Sequence, residues 1–106
     1  MPKEYILCAA NWYKDLVLLR NDFPTGHLRP KNVDRGIVFS AHRHLQCLYQ
    51  MIAMTGKSQH EAGEEVQGFL TSENRFIDRE LAAKIHIKNG GKLKHSTREL
   101  YSEDLY

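Results

Sequence analysis

Two short apolar runs past the middle of the chain constrain it most. Val66-Gln67-Gly68-Phe69-Leu70 and Arg75-Phe76-Ile77 are held apart only by Thr71-Ser72-Glu73-Asn74. Small polar residues over so few positions turn a chain back on itself, so the two runs are expected to pair antiparallel as a hairpin. A parallel pair would need a crossover of roughly a dozen residues or more between them. Asp78 follows at once, and an aspartate there caps the free amides at a helix start. A helix is therefore expected from Arg79 to about Asn89, with Leu81, Ala82 and Ile85 as its apolar stripe and Gly90-Gly91 as its stop.

An earlier helix is signalled by Leu45, Leu48, Tyr49 and Ile52 at helical spacing. Cys47, Met51 and Met54 widen its apolar surface, which implies a well-buried helix. Gly56 fits the left-handed position after its end, and Ser40 or a neighbour would cap its start. Gly56-Lys57-Ser58 looks like the end of a phosphate-binding loop, but Met51 stands where the first glycine is needed. The segment also follows a helix where such a loop must precede one, so it reads as a helix stop.

Nearer the start, Tyr5-Ile6-Leu7-Cys8-Ala9-Ala10 reads as a strand buried on both faces. Asn11-Trp12-Tyr13-Lys14-Asp15 breaks it, and Leu16-Val17-Leu18-Leu19 is a second apolar run. The two runs would form a hairpin with Trp12 and Tyr13 packed at its turn, a helix being the rival reading. Arg20 to Arg35 is irregular, with turn chemistry at Asn21-Asp22, Pro24, Gly26 and Pro30, and Gly36-Ile37-Val38-Phe39-Ser40 reads as a strand. Four apolar residues in Leu100-Tyr101-Ser102-Glu103-Asp104-Leu105-Tyr106 argue that the tail docks on the chain's own core or on a neighbouring subunit. The order β-β-loop-β-α-β-β-α-tail implies an α+β fold, a small and largely antiparallel sheet with two helices, in a single domain over residues 1–106.

A net charge of +2 is too small for a protein that wraps duplex nucleic acid through bulk electrostatics. No segment approaches the ~20 apolar residues of a membrane span, and Tyr5 to Ala10 is too short for a signal-peptide core. Cys8 and Cys47 form no CxxC pair and sit in apolar runs, as buried free thiols of a reducing compartment do. A cytoplasmic protein with no membrane partner is expected.

His42-Arg43-His44 precedes the first helix. Free amides and the positive end of the helix dipole favour an anion there, and the planar fork of Arg43 suits phosphate. Two histidines two apart also allow a metal, which would make a metal-dependent hydrolase using His42 and His44. The plain reading leaves all three side chains solvated or paired with a carboxylate. His60-Glu61-Ala62-Gly63-Glu64 lacks the second histidine of a zinc-protease helix. Arg75, Phe76, Asp78 and Arg79 put two arginines and an aromatic beside the second helix start. Whichever of Phe69 and Phe76 faces outward would stack on a base while the other fills the core. Asp78 is an N-cap first and a ribose-hydroxyl acceptor second. Arg29, Lys31 and Arg35, with Lys84, Lys88, Lys92 and Lys94, support an alternative as a small nucleic-acid-binding accessory protein, though such a run is commonly a solvated face. Ser40 near His42 lacks a third member and an oxyanion hole, so no catalytic set and no cofactor are expected.

Taken together, Ala41-His42-Arg43-His44, Gln67-Gly68-Phe69-Leu70-Thr71-Ser72, Asn74-Arg75-Phe76-Ile77-Asp78-Arg79-Glu80 and Leu100-Tyr101-Ser102-Glu103-Asp104-Leu105 resemble a group of small phage proteins. Within that group the chain is similar to the first-described type of Thoeris anti-defence protein, from Gly36 onward and only loosely before it. The resemblance implies a sponge that binds cyclic ADP-ribose isomers, or in some members cyclic oligonucleotides, and sequesters them without cleavage. It implies a homo-oligomer, from dimer up to hexamer, with ligand pockets between subunits and no stable nucleic-acid complex. Carried onto this chain, it gives Arg43 to the pyrophosphate, Phe69 to the adenine face and Asp78 to a ribose hydroxyl, with Arg98 or Ser102 closing the pocket. The family often carries asparagine where this chain has Asp78, and an aspartate repels phosphate unless it faces a hydroxyl or amine.

Overall fold

Strand β1 (Ile6–Tyr13) lies inside the sheet and organises the rest of the chain. In the computed structural model, which describes residues 3–20, 22–24 and 27–105, β1 pairs antiparallel with β2 (Ile37–Ala41) on one side and β3 (Glu65–Thr71) on the other. The short β4 (Phe76–Asp78) pairs antiparallel with β3, giving the order β2-β1-β3-β4. Helices α1 (His44–Thr55) and α2 (Arg79–Lys88) and one 3-10 turn at Ser102–Asp104 complete the described elements. The α+β class and the antiparallel sheet with two helices are as expected. Asn21 and Gly26, read as turn residues, and Tyr106, read as part of the apolar tail, lie outside the described residues.

The pleat sends alternate side chains to opposite faces. In this register Ala9, Asn11 and Tyr13 share a face with Phe39, Gln67, Phe69 and Ile77. Both helices cover that face. Ala9, Phe69 and Ile77 pack with Ala82 and Ala83 of α2 and with Leu100, so the tail docks on the chain's own core. Tyr13 and Phe39 pack with Cys47 and Met51 of α1, together with Leu16 and Ala62. On the opposite face Ala10 and Phe76 pack with Val33, flanked by Trp12, Val38 and Leu70. Asn32 pins that cover in place: its Nδ2 donates to Phe76 O at 2.6 Å and its Oδ1 accepts from Phe76 N at 2.8 Å.

Local punctuation behaves as expected. Asp78 Oδ1 accepts from Leu81 N at 2.8 Å, and Gly56 ends α1 with φ of 73°. Cys8 and Cys47 are free thiols, the first half-buried and the second buried.

Four expectations are corrected. β1 continues through Asn11, Trp12 and Tyr13, because each finds a partner on its own face. Asn11 Nδ2 donates to Tyr13 Oη at 3.1 Å and to His44 O at 3.2 Å, and Trp12 Nε1 donates to Arg35 O at 2.8 Å. Residues 16–19 form no strand; Leu16 is buried, whereas Val17 and Leu19 are exposed, and β1 pairs with distant segments instead. Phe69 and Phe76 are both core, on opposite faces of the sheet, so neither turns outward. Last, α1 starts at His44 with Arg43 as N-cap, and its buried seam is His44, Cys47 and Met51. Leu45 and Tyr49 are 56% and 58% exposed. Apolar residues cover most of this helix, so spacing alone offers two stripes. The hydrogen bond between His44 Nε2 and Gly68 O, at 2.8 Å, sets the rotation.

Candidate functional site

Between the helices the covered face of the sheet turns polar. Asn11 of β1 and Glu65 and Gln67 of β3 replace the apolar residues found under either helix. Asn11 is fully buried and its Oδ1 accepts no hydrogen bond among the described residues. The starts of α1 and α2 both border this strip, which brings Arg43 and Arg79 to one cleft.

Arg79 is the centre of the arrangement. Its Nη1 donates to Leu100 O at 2.9 Å, and its Nη2 donates to Gln67 Oε1 at 2.6 Å. The same Nη2 lies 3.4 Å from His44 Nδ1, and the guanidinium sits 4.7 Å over the Tyr101 ring. These acceptors are neutral, so they orient the cation without cancelling its charge. Burial pulls the Arg79 pKa downward, the sign of a cation held in a poorly solvated place.

His44 is fixed at both nitrogens. With Gly68 O accepting at Nε2, that nitrogen carries the proton and Nδ1 is the acceptor facing Arg79. Burial lowers its pKa, the Gly68 bond opposes this, and the Arg79 charge lowers it further. Phe69 supports the ring edge-on, with centroids 5.1 Å apart. Gly68 lets β4 lie close against β3, since a Cβ there would collide with Ile77 O and the Phe76 ring.

Arg43 Nη1 donates to Ser102 Oγ at 3.1 Å. Ser102 is positioned by the returning C-terminal segment, which Asp104 folds by accepting from Lys94 N at 2.7 Å and Tyr101 N at 2.9 Å. The neighbouring Glu103 carboxyl is held below its usual range, first by its own backbone amide, with Arg43 adding to the effect. The cleft encloses about 530 Å³ among Arg43, His44, Arg79, Tyr101, Ser102 and Glu103, whose Oε2 accepts from Ser102 Oγ at 3.4 Å. A recess of about 400 Å³ on the other side of Arg79 is bordered by Glu65, Gln67, Asp78, Glu80 and Glu99.

Of the residues singled out in the sequence, the structure brings Arg43, His44, Arg79 and Ser102 together in the cleft and Asp78 into the recess. Phe69 lies beneath His44, and Arg98 reaches the rim of the recess through Glu80 at 3.6 Å. His42 is exposed on the segment before α1. Arg75 lies outside both linings and pairs with Glu4, with Nη2 2.7 Å from Oε1. Phe76 packs edge-on against Trp12 on the far face. Sequence reasoning passed over Gln67 and Tyr101. The two-residue period of β3 puts Gln67 on the face of Phe69, a signal that was available, whereas Tyr101 reaches Arg79 only once the tail has folded back.

Among the described residues no group of three or more His, Cys, Asp and Glu side chains is placed to hold a metal. No helix of the described residues is long and apolar enough to cross a membrane. A groove of about 580 Å³ at Leu16, Val17, Ile37, Phe39 and Met54 is larger than the arginine cleft, but its walls are mostly hydrocarbon. Ligand specificity needs placed polar groups, so the arginine cleft is the better candidate.

The family described as phage T4 y16D protein matches residues 5–106 of this chain. That description carries no statement about Thoeris defence or nucleotide binding. No curated protein and no solved structure matches.

Proposed function

The chain belongs to the phage T4 y16D protein family, and from that premise we propose that it is a phage anti-defence sponge. It binds a cyclic nucleotide immune signal, a cyclic ADP-ribose isomer or a cyclic oligonucleotide, and sequesters it without cleavage. One observation carries the reading: Arg43 and Arg79, at the starts of the two helices, border a single cleft with Ser102. Helix starts favour anions, and a guanidinium held by neutral acceptors keeps its charge available for phosphate.

Binding without chemistry suits the state of His44. It is buried, biased toward the neutral form and engaged at both nitrogens, so it is not placed to take a proton from a bound nucleotide. In this reading the protein works as a homo-oligomer, from dimer up to hexamer, with the cleft completed by a neighbouring subunit. The cytoplasm of the infected host is where such a signal would be met.

A release assay tests the proposal. Purified protein is mixed with a cyclic ADP-ribose isomer, filtered, and free nucleotide is quantified by chromatography before and after heat denaturation. Nucleotide that vanishes and returns intact on heating is the expected result. Nucleotide that returns altered makes the protein an enzyme, and nucleotide that stays free throughout removes this ligand.

A further inference from the structure

We propose that the outer edge of β2 docks an extended peptide segment of another protein, one in which apolar and acidic residues alternate. This site is separate from the arginine cleft and stands whatever that cleft binds. β2 ends the sheet, so every second residue of Ile37–Ala41 turns its N–H and C=O away from β1. Among the described residues no backbone hydrogen bond from outside the sheet reaches this edge. Proteins blunt such edges with a charge, a proline, a bulge or very short length. Ile37-Val38-Phe39-Ser40-Ala41 has no charge and no proline, and its register with β1 is unbroken. The edge at β4, by contrast, is three residues long and runs straight into α2.

A strand added to β2 sends its side chains alternately to the two faces of the sheet, and each face has a space beside β2. On the α1 face it is the groove of about 580 Å³, with Ile37 and Phe39 in its wall. Its rim is bare hydrocarbon, with Val17 85% and Met54 76% exposed. On the far face a space of about 180 Å³ has Val38 and Ser40 in its wall beside His27 and Arg29. Arg29 donates to the carbonyls of Gly36 and Asp34, at 3.1 and 3.4 Å, and so keeps its charge. Lys57 borders the groove, as does Arg20, which is paired with Asp22. Among the described residues no carboxylate lines either space. Apolar side chains therefore suit the α1 face and carboxylates the far face, which is the alternation of one extended strand. A second copy of β2 fits less well, because it would add the same cations and no acid to meet them.

Labelled hexapeptides titrated against the full chain by fluorescence anisotropy test this. One repeats Glu-Leu, one repeats Lys-Leu, and one groups the glutamates and leucines of the first into two blocks. The alternating acidic peptide is expected to bind at least about tenfold tighter than either of the others. Methylating its backbone nitrogens at one alternate set of residues should abolish binding, and methylating the other set should spare it, since only one set donates to β2. Met54→Glu and Lys57→Glu, both at exposed positions, should each weaken binding about tenfold. Equal binding of the acidic and basic peptides would overturn the charge assignment. Equal binding of the alternating and block peptides, or of the two methylated forms, would overturn the added strand. If no peptide binds and the protein is a dimer that Met54→Glu splits, a second copy is the occupant and the proposal is wrong; if no peptide binds a monomer, the site falls. The peptide comparisons use the wild-type protein, so they decide even where a variant fails to fold.

Discussion

Arg43 joins the start of α1 to the C-terminal segment through Ser102 Oγ, with part of its side chain exposed. Its replacement should therefore be felt by a ligand more than by the fold. Arg43→Ala is expected to lose about 1.5–3 kcal/mol of binding, the worth of a charged hydrogen bond to phosphate. Its unfolding free energy should fall by about 0.5–1.5 kcal/mol, the worth of the bond to Ser102. Calorimetric titration beside a denaturant melt checks both, and an unchanged affinity would move the pocket elsewhere. His44 makes a second prediction at this scale. Burial and the Arg79 charge hold its pKa below the ordinary 6.5, against the pull of the Gly68 bond; Glu103 and Glu65 oppose the shift from further off. The unfolded chain then takes up the proton more readily than the folded one. The stability His44 contributes is complete above pH 6.5 and declines as the pH falls below it. Denaturant midpoints at pH 7.5 and 5.5 should show this decline in wild type, and His44→Gln should show less of it. Equal slopes would mean that His44 does not report the change.

At the scale of elements, the rotation of α1 decides which of its apolar residues matter. Met51 is fully buried against Tyr13 and Phe39, whereas Tyr49 is more than half exposed. Met51→Ala should cost about 2–5 kcal/mol, and Tyr49→Ala under about 1 kcal/mol, by urea denaturation. A larger loss at Tyr49 would mean that a partner covers that face. The rotation was not legible from spacing, because Leu45, Leu48, Tyr49 and Ile52 satisfy a helical period as well as Cys47 and Met51 do. A long-range bond from His44 to Gly68 makes the choice. Punctuation was legible, since the Asp78 cap, the Gly56 stop and the turn between β3 and β4 depend only on neighbours in sequence. The partners of β1 were not, because residues 16–19 are near in sequence while β2 and β3 are near in space. The site divides the same way. Arg43, His44 and Arg79 announced themselves by residue type beside helix starts, and Ser102 through the family resemblance. The place of Tyr101 exists only after the tail returns over α2.

At the scale of the whole molecule, Glu4 ties the segment ahead of β1 to the β3–β4 hairpin. Glu4, ahead of β1, accepts from Arg75 Nε at 2.8 Å and Nη2 at 2.7 Å, and from Thr71 Oγ1 at 2.7 Å. The Arg75 hydrogen bonds, with Thr71 helping, take its pKa from 4.5 to about 2. The stability this pair contributes is intact above pH 4.5 and is lost as the pH falls through about 2. An acid titration followed by circular dichroism should show Glu4→Gln less sensitive than wild type between these limits. Coincident curves would make the tie irrelevant to acid stability.

The interior position of β1 has one more effect, and it concerns synthesis. The ribosome makes this strand before either of the strands that flank it, and the β3 pairing joins Ile6 to Thr71 and Tyr13 to Glu65 across most of the intervening chain. Until β3 emerges, β1 waits with an uncovered edge of backbone donors and acceptors, the kind of surface that recruits other chains. Folding is thereby deferred until β3 has been made, and a chain cut short before β3 would leave that edge exposed to other chains.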